Sequence, residues 1–307
     1  MQKSLGRSGL TEMPEEKHVP VFLEETIRGL NLKEDSLVVD ATVDGGGHAR
    51  AILEKLGPDG KLIGFDWDSG MIRKLQEEMG GERRAKFFHS NFSELEKVAR
   101  SLTADWRRPD AVLFDLGLSS LQLKASGRGF SFNSEEGLEM TFDRSTSPNA
   151  REFVRRASEQ ELYEVIRQYG EEPFAGRISR AIVRERQRRQ ISTAKELAEI
   201  IAKAVPRKSR IHPATRTFQA LRIYVNNEFE NIENGLTGAW NIIKPGGRIA
   251  VISYHSLEDR IIKIFFKEKA KAEEGKLIFK KPLKPSRREI LENPRSRSAK
   301  LRIIEKV

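Results

Sequence analysis

Three aspartates each close a short apolar run, and the first of them is followed by a glycine cluster. Asp40 ends "SLVVD", Asp66 ends "KLIGFD" and Asp115 ends "DAVLFD", while "GGGH" occupies positions 45 to 48. A carboxylate accepts hydrogen bonds from two hydroxyl groups or from an amine, and consecutive glycines allow the backbone to pass close to a ligand. These residue types in these places predict a crevice for a polar organic molecule.

The elements that would position these residues alternate between strands and helices. The patterns predict strands over 36–41, 61–68, 85–92 and 110–117, and helices over 48–57, 71–79 and 93–102. Such alternation is typical of a parallel sheet with right-handed crossovers. Ligands of such sheets bind outside the carboxyl ends of the strands, near the switch point. We therefore expect one crevice bordered by Asp40, the loop 42–48, Asp66, Phe92 and Asp115.

The alternation stops after residue 124 and resumes at 214. Residues 125–213 contain helical patterns but no convincing strand, whereas a further strand is predicted at 248–255, with late candidates at 276–283 and 300–307. We expect a flexible N-terminal tail over 1–17, an α/β domain formed by 18–124 and 214–307, and a helical insertion over 125–213 that recognises the substrate. One helical stripe is predicted to face the core of the α/β domain: Phe218, Leu221, Val225, Phe229 and Ile232.

Composition narrows the class of protein and of partner. The chain has 307 residues, no cysteine, five scattered histidines and a formal net charge of +10. Disulfides and thiolate metal sites are excluded, no metal site is predicted, and a cytoplasmic location is favoured. No apolar run approaches membrane-spanning length, so no membrane partner is expected. The positive charge favours a polyanionic partner such as nucleic acid.

The glycine cluster does not match the common phosphate-binding patterns. A dinucleotide fingerprint that starts at Gly45 and Gly47 would need a third glycine where Arg50 stands, and no P-loop pattern is present. A ligand with a ribose but no phosphate fits better, and S-adenosylmethionine is such a ligand. Two alternatives stay open from these residues alone: a tight turn that binds nothing, and a nicotinamide enzyme, since those also carry an acid at the position of Asp66. The turn "KPGG" at 244–247, before a late strand, favours the methyl donor.

Longer stretches carry a resemblance to a known family. They are "HVPVFLEE", "DATVDGGGHA", "LFDLGLSSLQL", "RGFSF", "RIHPATRTFQALRIYVNNE", "PGGRIAVISYHSLEDR" and "NPRSRSAKLR". From about His18 to the C-terminus the chain resembles the RsmH (MraW) family of bacterial small-subunit ribosomal RNA cytosine-N4 methyltransferases. The resemblance implies a Rossmann-like class I methyltransferase sheet with an inserted helical domain, S-adenosylmethionine as donor, and a decoding-region cytidine of 16S ribosomal RNA in the small subunit as acceptor. It leaves open whether the chain forms a homodimer.

The resemblance also implies which residues contact the donor. The positions that match the family's cofactor contacts are Gly46, Gly47, His48, Asp66, Phe92, Asp115 and Gln122. Three stretches depart from the family's usual pattern: "DWDSGM", "SSLQLK" and "GLEMTFD". The last two lie between 119 and 143, so the departures affect the expected substrate contacts more than the cofactor contacts. His48 could also act only through the backbone at a helix start, and Phe92 could be an ordinary core aromatic.

Direct methyl transfer to an exocyclic amine agrees with the residues present. The cytosine N4 lone pair is delocalised into the ring, so positioning in line with the carbon–sulfur bond should dominate the rate. Methylation at cytosine C5 usually employs a thiolate, and this chain has no cysteine. Asp115 is the predicted catalytic residue, because its carboxylate could accept an N4 hydrogen. The alternative for Asp115 is a helix cap or loop brace.

Several residues are predicted to contact RNA. Arg177, Arg180, Arg184 and Arg188 lie at helical spacing, with Glu185 the one acid between 177 and 190. A solvated helix face is the alternative for these arginines. "GRGFSF" places Arg128, Phe130 and Phe132 where an unstacked base could be received, with hinge packing as the alternative. His255 could face the acceptor base, and Ser256 with Asp259 forms an S-x-x-D pattern that predicts a helix start.

Two other functions stay in view beside the methyltransferase. One is a nicotinamide-dependent oxidoreductase on a similar sheet, which the missing third glycine disfavours. The other is a ribosome-assembly factor that binds RNA through its basic surfaces without catalysis. A measurement of cofactor binding distinguishes the oxidoreductase from the methyltransferase. The effect of substituting Asp115 on methylation distinguishes the assembly factor from the methyltransferase.

Overall fold

The computed structural model describes residues 20–102, 107–117, 127–132, 135–143, 148–206 and 211–307. The predicted tail over 1–17 lies outside these residues. The helices are α1 (Leu23–Leu30), α2 (Gly47–Lys55), α3 (Ser69–Met79), α4 (Leu95–Ser101), α5 (Ala150–Arg156), α6 (Glu159–Gly170), α7 (Ala175–Arg186), α8 (Ala194–Ala204), α9 (Thr215–Val225), α10 (Glu228–Ile242), α11 (Ser256–Lys271) and α12 (Arg287–Glu292). Within the described ranges, no helix has the length and apolar character needed to cross a membrane.

A seven-stranded sheet forms the centre of the α/β domain. Its strands are β1 (Leu37–Asp40), β2 (Lys61–Asp66), β3 (Ala85–His89), β4 (Ala111–Asp115), β5 (Arg248–Ser253), β6 (Gly275–Leu277) and β7 (Lys300–Lys306), in the spatial order β3-β2-β1-β4-β5-β7-β6. The pairs among β1 to β5 are all parallel. The chain reverses its direction of growth across the sheet between β1 and β4, which creates the switch point where a ligand crevice opens.

Helices cover both faces of this sheet. Val39, Val112 and Val251 point to one face, where they pack with α10 and α11. Val38, Leu113 and Ile252 point to the other face, where they pack with α1, α2 and α3. Side chains of successive strand residues alternate between faces, so a strand that is covered twice must be apolar at nearly every position. This explains the continuous apolar run in β1 and β4.

The predicted parallel sheet is confirmed for β1 to β5, and among the late strands β7 runs in the opposite direction. β7 pairs antiparallel with β5, from Arg248 opposite Glu305 to Ser253 opposite Lys300. β6 pairs antiparallel with β7 at the edge of the sheet. Because β7 is antiparallel to both of its neighbours, β6 runs in the same direction as β5, and α11 makes the crossover between them. Here β6 first adds one position farther out, and β7 then fills the gap in the opposite direction.

The insertion is a separate helical unit with its own core. Three of its helices begin with a capping box in which an uncharged side chain and a glutamate three residues later each bind the other's backbone N–H: Asn149 with Glu152, Ser158 with Glu161, and Thr193 with Glu196. Their buried faces meet that of α7 around Leu162, Ile178 and Leu197. The capping residues satisfy helix N–H groups that lack a partner within the helix.

The helix after residue 213 belongs to the insertion by its packing. Phe218, Leu221 and Val225 on α9 pack in the helical core, whereas Ile232 on α10 packs in the sheet core. The predicted single stripe is therefore wrong, because the chain turns at Asn227, whose φ of 50° is left-handed. By this packing the helical unit extends about to Asn226 rather than to 213. The sequence did not show this, because the amphipathic pattern of α9 does not reveal which core covers it.

Candidate functional site

A cleft opens at the carboxyl ends of the parallel strands and contains about 670 Å³ of empty space. The loop after β1 forms its floor. The backbone N–H of Val43 donates to the Phe65 carbonyl oxygen over 2.9 Å, which ties this loop to the end of β2. The lining residues are Ala41, Thr42, Asp44, Asp66, Trp67, Phe92, Asp115, Leu116, Gly117, Phe142, Glu228, Asn231, Ile232 and Glu258.

Asp66 ends β2 at the rim of the cleft. Its two carboxylate oxygens accept the backbone N–H groups of Asp44, over 2.9 Å, and of Asp68, over 2.8 Å. Burial, together with the charge of Asp44, raises the pKa of Asp66 to about 7 although the two N–H groups oppose that rise. Each oxygen has a further lone pair, so Asp66 can still accept hydroxyl groups of a ligand.

Asp40, at the end of β1, is completely buried beneath the same loop. Its Oδ1 accepts the backbone N–H of Thr42 over 3.2 Å, whereas its Oδ2 has no hydrogen-bond partner among the described residues. Burial raises the pKa of Asp40 to about 8, and the charges of Asp115 and Asp66 add to the rise. The crowding of these carboxyl groups therefore disfavours their charged forms, and a cationic ligand would favour them.

Asp115 ends β4 and is held by neighbours on three sides. Its backbone N–H donates to Oγ1 of Thr42 over 2.6 Å, and the hydroxyl of Tyr254 lies beside its carboxylate. His48 Nδ1 lies 3.7 Å from Oδ2 of Asp115. The side chain of Asp115 is 13% exposed, so one edge of the carboxylate reaches the cleft in a fixed orientation.

Aromatic rings form two walls of the cleft. Phe92 meets Phe114 edge to face, with ring centroids 5.7 Å apart. Trp67 lies opposite Phe142, whose centroid is 5.9 Å away. Phe142 comes from the insertion, so the cleft lies between the two units of the chain. Flat apolar walls of this kind suit a planar ring, which can stack on an aromatic face.

A buried charge cluster closes the side of the cleft that faces α11. Arg222 donates to both carboxylate oxygens of Glu228, over 2.7 and 2.8 Å, and lies 3.7 Å from Glu258. His255 Nε2 lies 2.9 Å from Oε1 of Glu258. Burial alone would raise the pKa of Glu258, but His255 and Arg222 outweigh it and lower that pKa. Burial raises the pKa of Glu228 against the opposing effect of Arg222.

The same cluster has the spacing of a metal site. One ligand atom each from Glu228, His255 and Glu258 lie within 4.8 Å of one another. The guanidinium of Arg222 already contacts both carboxylates, however, and supplies the positive charge that a cation would bring. The arrangement is that of an ion-pair network that stabilises the junction of α9, α10 and α11.

The comparisons with known proteins agree with one another. The profile of the MraW methylase family matches residues 15–307. The chain belongs to the MraW methylase family. A protein named ribosomal RNA small subunit methyltransferase H from Caldicellulosiruptor saccharolyticus is 44% identical over 95% of this chain and 99% of its own length. The protein of the same name from Syntrophus aciditrophicus is 42% identical over 96% of this chain and its full length, 100%.

Solved structures of methylases are less similar to this member of the MraW family than the relatives named above. An rRNA methylase from Streptococcus thermophilus is 11% identical, with a TM-score of 0.43, covering 97% of this chain and 99% of that one. NSun6 from Pyrococcus horikoshii, crystallised with SFG, is 12% identical, with a TM-score of 0.46, covering 98% of this chain and 57% of that one.

The structure places the predicted cofactor residues of this methylase in two groups. Asp66, Phe92 and Asp115 line the cleft, whereas Gly46, Gly47 and His48 form the start of α2 behind it. Gly46 has a φ of 77°, and a side chain on Gly47 would collide with Pro20, so geometry requires both glycines. Gln122 lies outside the described residues.

Arg128 and Phe130 are buried, which agrees with the alternative of hinge packing, and their contact with RNA stays a prediction. Arg128 is only 6% exposed and donates to Oδ2 of Asp68 over 2.5 Å and to the carbonyl oxygen of Phe142 over 2.6 Å. Phe130 is buried and stacks on Phe142, with centroids 5.6 Å apart. A buried guanidinium needs hydrogen-bond acceptors around it, and Arg128 finds them in Asp68 and in the backbone of Phe142. Through these contacts and the Phe130 ring, both residues connect the insertion with the cleft. Phe132 stacks on His212, with ring centroids 4.3 Å apart, and its contact with a base stays a prediction.

The predicted arginine ridge lies on the exposed side of α7 and just beyond it. Arg177, Arg180, Arg184 and Arg188 are all exposed. Arg184 and Arg188 share Glu185, at 3.8 and 3.4 Å. The ridge is thus partly neutralised, and its contact with RNA stays a prediction.

The predicted start of α11 is off by one residue. The helix is capped by His255 with Glu258, not by Ser256 with Asp259. Asp259 instead accepts hydrogen bonds from Lys300, over 2.8 Å, and Arg302, over 2.7 Å, on β7. The imidazole of His255 therefore has a structural role at the helix start, and a contact between His255 and a base is not needed to explain its position.

Sequence reasoning missed several residues that border the cleft. They are Trp67, Asn231, Glu228, Glu258 and Tyr254, the last through its contact with Asp115. Glu228 and Asn231 come from the first turns of α10, which lies more than a hundred residues from the glycine loop in sequence. The position of Tyr254 after β5 offered a signal, since the carboxyl ends of neighbouring parallel strands meet at one edge of a sheet.

Proposed function

We propose that this chain transfers a methyl group from S-adenosylmethionine to N4 of a cytidine in the decoding region of 16S ribosomal RNA. The carboxylate of Asp115, which reaches the cleft at the end of β4, is the observation that carries the proposal. Membership of a methylase family and relatives named for methylation of small-subunit ribosomal RNA support the reaction class and the substrate. A cytoplasmic location on the small subunit follows from such a substrate.

The cleft fits the donor by its shape and charge. Asp66 accepts the ribose hydroxyls, and the ring of Phe92 lies against the adenine. The carboxylates that line the cleft, with Asp115 among them, compensate the positive charges of the ligand's sulfonium and ammonium groups. A nicotinamide dinucleotide would bring a diphosphate into the same acidic surroundings, where like charges repel. This disfavours the oxidoreductase alternative.

Asp115 recognises the acceptor amine and orients its lone pair. The bound donor supplies a methyl group on a positively charged sulfur, which departs as a neutral thioether. As the N4–carbon bond forms and the carbon–sulfur bond breaks, N4 becomes positively charged and must lose one proton. The carboxylate of Asp115 accepts a hydrogen bond from N4 before transfer and stabilises that positive charge during it. The proton then passes to solvent through Asp115.

The acceptor base must leave its stack to enter the cleft. N4 takes part in Watson–Crick pairing, so the base has to be single-stranded, flipped or in another kind of pair. Trp67 and Phe142 form an aromatic wall that can receive it. Phe142 lies in the insertion, so the helical unit would contribute one side of this wall.

The decisive experiment compares the parent with Asp115→Asn and Asp115→Ala. Small subunits from a strain that lacks the gene are incubated with each protein and labelled donor, and the nucleosides are identified by mass spectrometry. We expect N4-methylated cytidine with the parent and a loss of at least about 100-fold in the turnover of both variants. Calorimetry with S-adenosylmethionine and with NAD runs in parallel. If Asp115→Ala methylated the subunits at the parental rate, Asp115 would have no role in catalysis. Tight binding of NAD without binding of S-adenosylmethionine would overturn the proposal.

A further inference from the structure

A second cavity lies in the helical insertion, away from the acids of the cleft. It contains about 620 Å³ of empty space between α5, the end of α7 and the loop that follows α7. Its lining residues are Arg151, Val154, Arg155, Arg186, Gln190 and Ile191. Three of these six side chains are arginines, so the wall is strongly cationic and carries no acid.

The three guanidinium groups have no acidic partner among the described residues. Arg151 and Arg155 form no ion pair there, and Nε of Arg151 is buried without a hydrogen-bond acceptor. Arg186 donates only to the backbone carbonyl oxygen of Val154, over 2.7 Å. Nearby arginines differ: Arg188 pairs with Glu185 at 3.4 Å and Arg189 with Glu196 at 2.8 Å. Arg188 and Arg189 are thus neutralised, whereas the three arginines around the cavity have no acid beside them among the described residues.

An anion is the ligand that such a wall recognises. Like charges held together destabilise a fold unless a counter-charge is present, and guanidinium groups bind phosphate oxygens through paired N–H donors. We propose that Arg151, Arg155 and Arg186 form a binding pocket for a backbone phosphate of the RNA substrate. This proposal rests on the proposed function, because it names the anchor that holds the RNA whose base enters the cleft.

The helix that carries two of these arginines is coupled to the cleft. Phe153 lies between Arg151 and Arg155 in sequence and packs on Tyr224, with ring centroids 4.4 Å apart. Tyr224 is on α9, two residues after Arg222 of the charge cluster beside the cleft. A phosphate bound by α5 would therefore hold the RNA at a fixed position relative to the cleft. Phosphate contacts of this kind position a nucleic acid and do not read its sequence.

The test measures binding of undermethylated small subunits to Arg151→Ala, Arg155→Ala and the double variant. We expect affinity to fall about tenfold for each substitution, with the slope of log affinity against log salt concentration falling by about one per lost contact. Arg151→Lys keeps the charge and should retain most of the affinity. Arg73→Ala, an exposed arginine on α3, is the matched control and should bind as the parent does. Circular dichroism and calorimetric donor binding verify that each variant is folded.

The outcomes distinguish this pocket from other anion sites and from the function itself. Inorganic phosphate and ATP are titrated in parallel as free-anion probes. Weaker subunit binding with a smaller salt slope supports the proposal. Unchanged subunit binding overturns it, whether or not the variants lose binding of the free anions. If the parent bound subunits but methylated nothing, the proposed function would fail while the comparison of affinities would still decide the pocket.

Discussion

The hydroxyl of Tyr254 lies beside the carboxylate of Asp115 and interacts with it electrostatically. The two residues come from neighbouring parallel strands, since Asp115 lies opposite Ile252 in the register of β4 and β5. Burial, with the charge of Asp115, raises the pKa of Tyr254 well above its ordinary value. The phenol therefore stays protonated and can act as a donor toward the carboxylate of Asp115.

Removal of that hydroxyl should slow the reaction without weakening substrate binding. We expect Tyr254→Phe to lower kcat about tenfold, because Asp115 loses a partner that fixes its orientation. KM for the subunit and the affinity for the donor should stay near parental values. Tyr224→Phe removes a phenol from the helical core and is the control. A parental kcat in Tyr254→Phe would show that the other contacts of Asp115 suffice.

A methyl group behind Phe92 should disturb the donor site. A Cβ at Gly235 on α10 would lie 2.7 Å from the ring of Phe92 and 3.2 Å from that of Phe114. We expect Gly235→Ala to push Phe92 toward the cleft and to weaken donor binding about tenfold, measured by calorimetry. Gly176→Ala on α7 is the control, since its Cβ would meet Tyr163 only at 3.8 Å. Equal donor affinity in both variants would argue against a ligand beside Phe92.

Donor binding should tighten as the pH rises through the titration of Asp66. Its pKa of about 7 means that much of the unliganded protein carries a neutral Asp66 at pH 6. The charged form accepts two hydroxyl groups, so affinity should increase about tenfold between pH 6 and pH 8. Asp66→Asn should bind weakly over the whole range and lose that part of the pH dependence. A variant profile parallel to the parental one would place the titrating group elsewhere.

Asp40 should make the unliganded protein less stable in alkali. Its pKa is about 8 when folded and 3.8 in the ordinary case, so the folded chain holds a proton that the unfolded chain has released. Stability is then present in full below pH 3.8 and is lost as the pH rises through about 8. Asp40→Asn removes this dependence. We expect its advantage over the parent in the free energy of unfolding to grow by about 2 kcal/mol from pH 6 to pH 8.

Urea unfolding at the two pH values measures that difference. An advantage that stays constant would mean that Asp40 remains ionised in the folded chain, with its charge compensated by another group. Comparison with Asp66→Asn under the same conditions separates the two acids, because the pKa of Asp66 lies near 7 and its dependence should end at lower pH.

The local patterns predicted the sheet elements well because each strand depends on features visible in a few residues. A strand covered on both faces must be apolar throughout, so β1, β2 and β4 appear as continuous runs that end at Asp40, Asp66 and Asp115. The positions of those acids around one cleft follow from parallel pairing alone. The sequence could also predict the turn at Gly46, because left-handed backbone favours glycine.

Other features depend on which surfaces meet, and no local pattern carries that information. The amphipathic stripe of α9 fits either core, and only packing against α6 assigns it to the insertion. In the sequence, Arg128 stands in a basic and aromatic stretch that is typical of an RNA contact. In the structure it is buried and forms an ion pair with Asp68, sixty residues earlier.

The sequence by itself determined the strand ends, the glycine turn, the strongly basic composition and the family resemblance, because each is written in neighbouring residues or in long matching stretches. Only the tertiary structure decided that Tyr254 supports Asp115, that Arg222 joins Glu228 and Glu258 beside the cleft, and that three unneutralised arginines surround a cavity. These are contacts between distant segments. Their geometry is set by how the helical insertion packs against the sheet, since burial and charge compensation act between surfaces that only folding brings together.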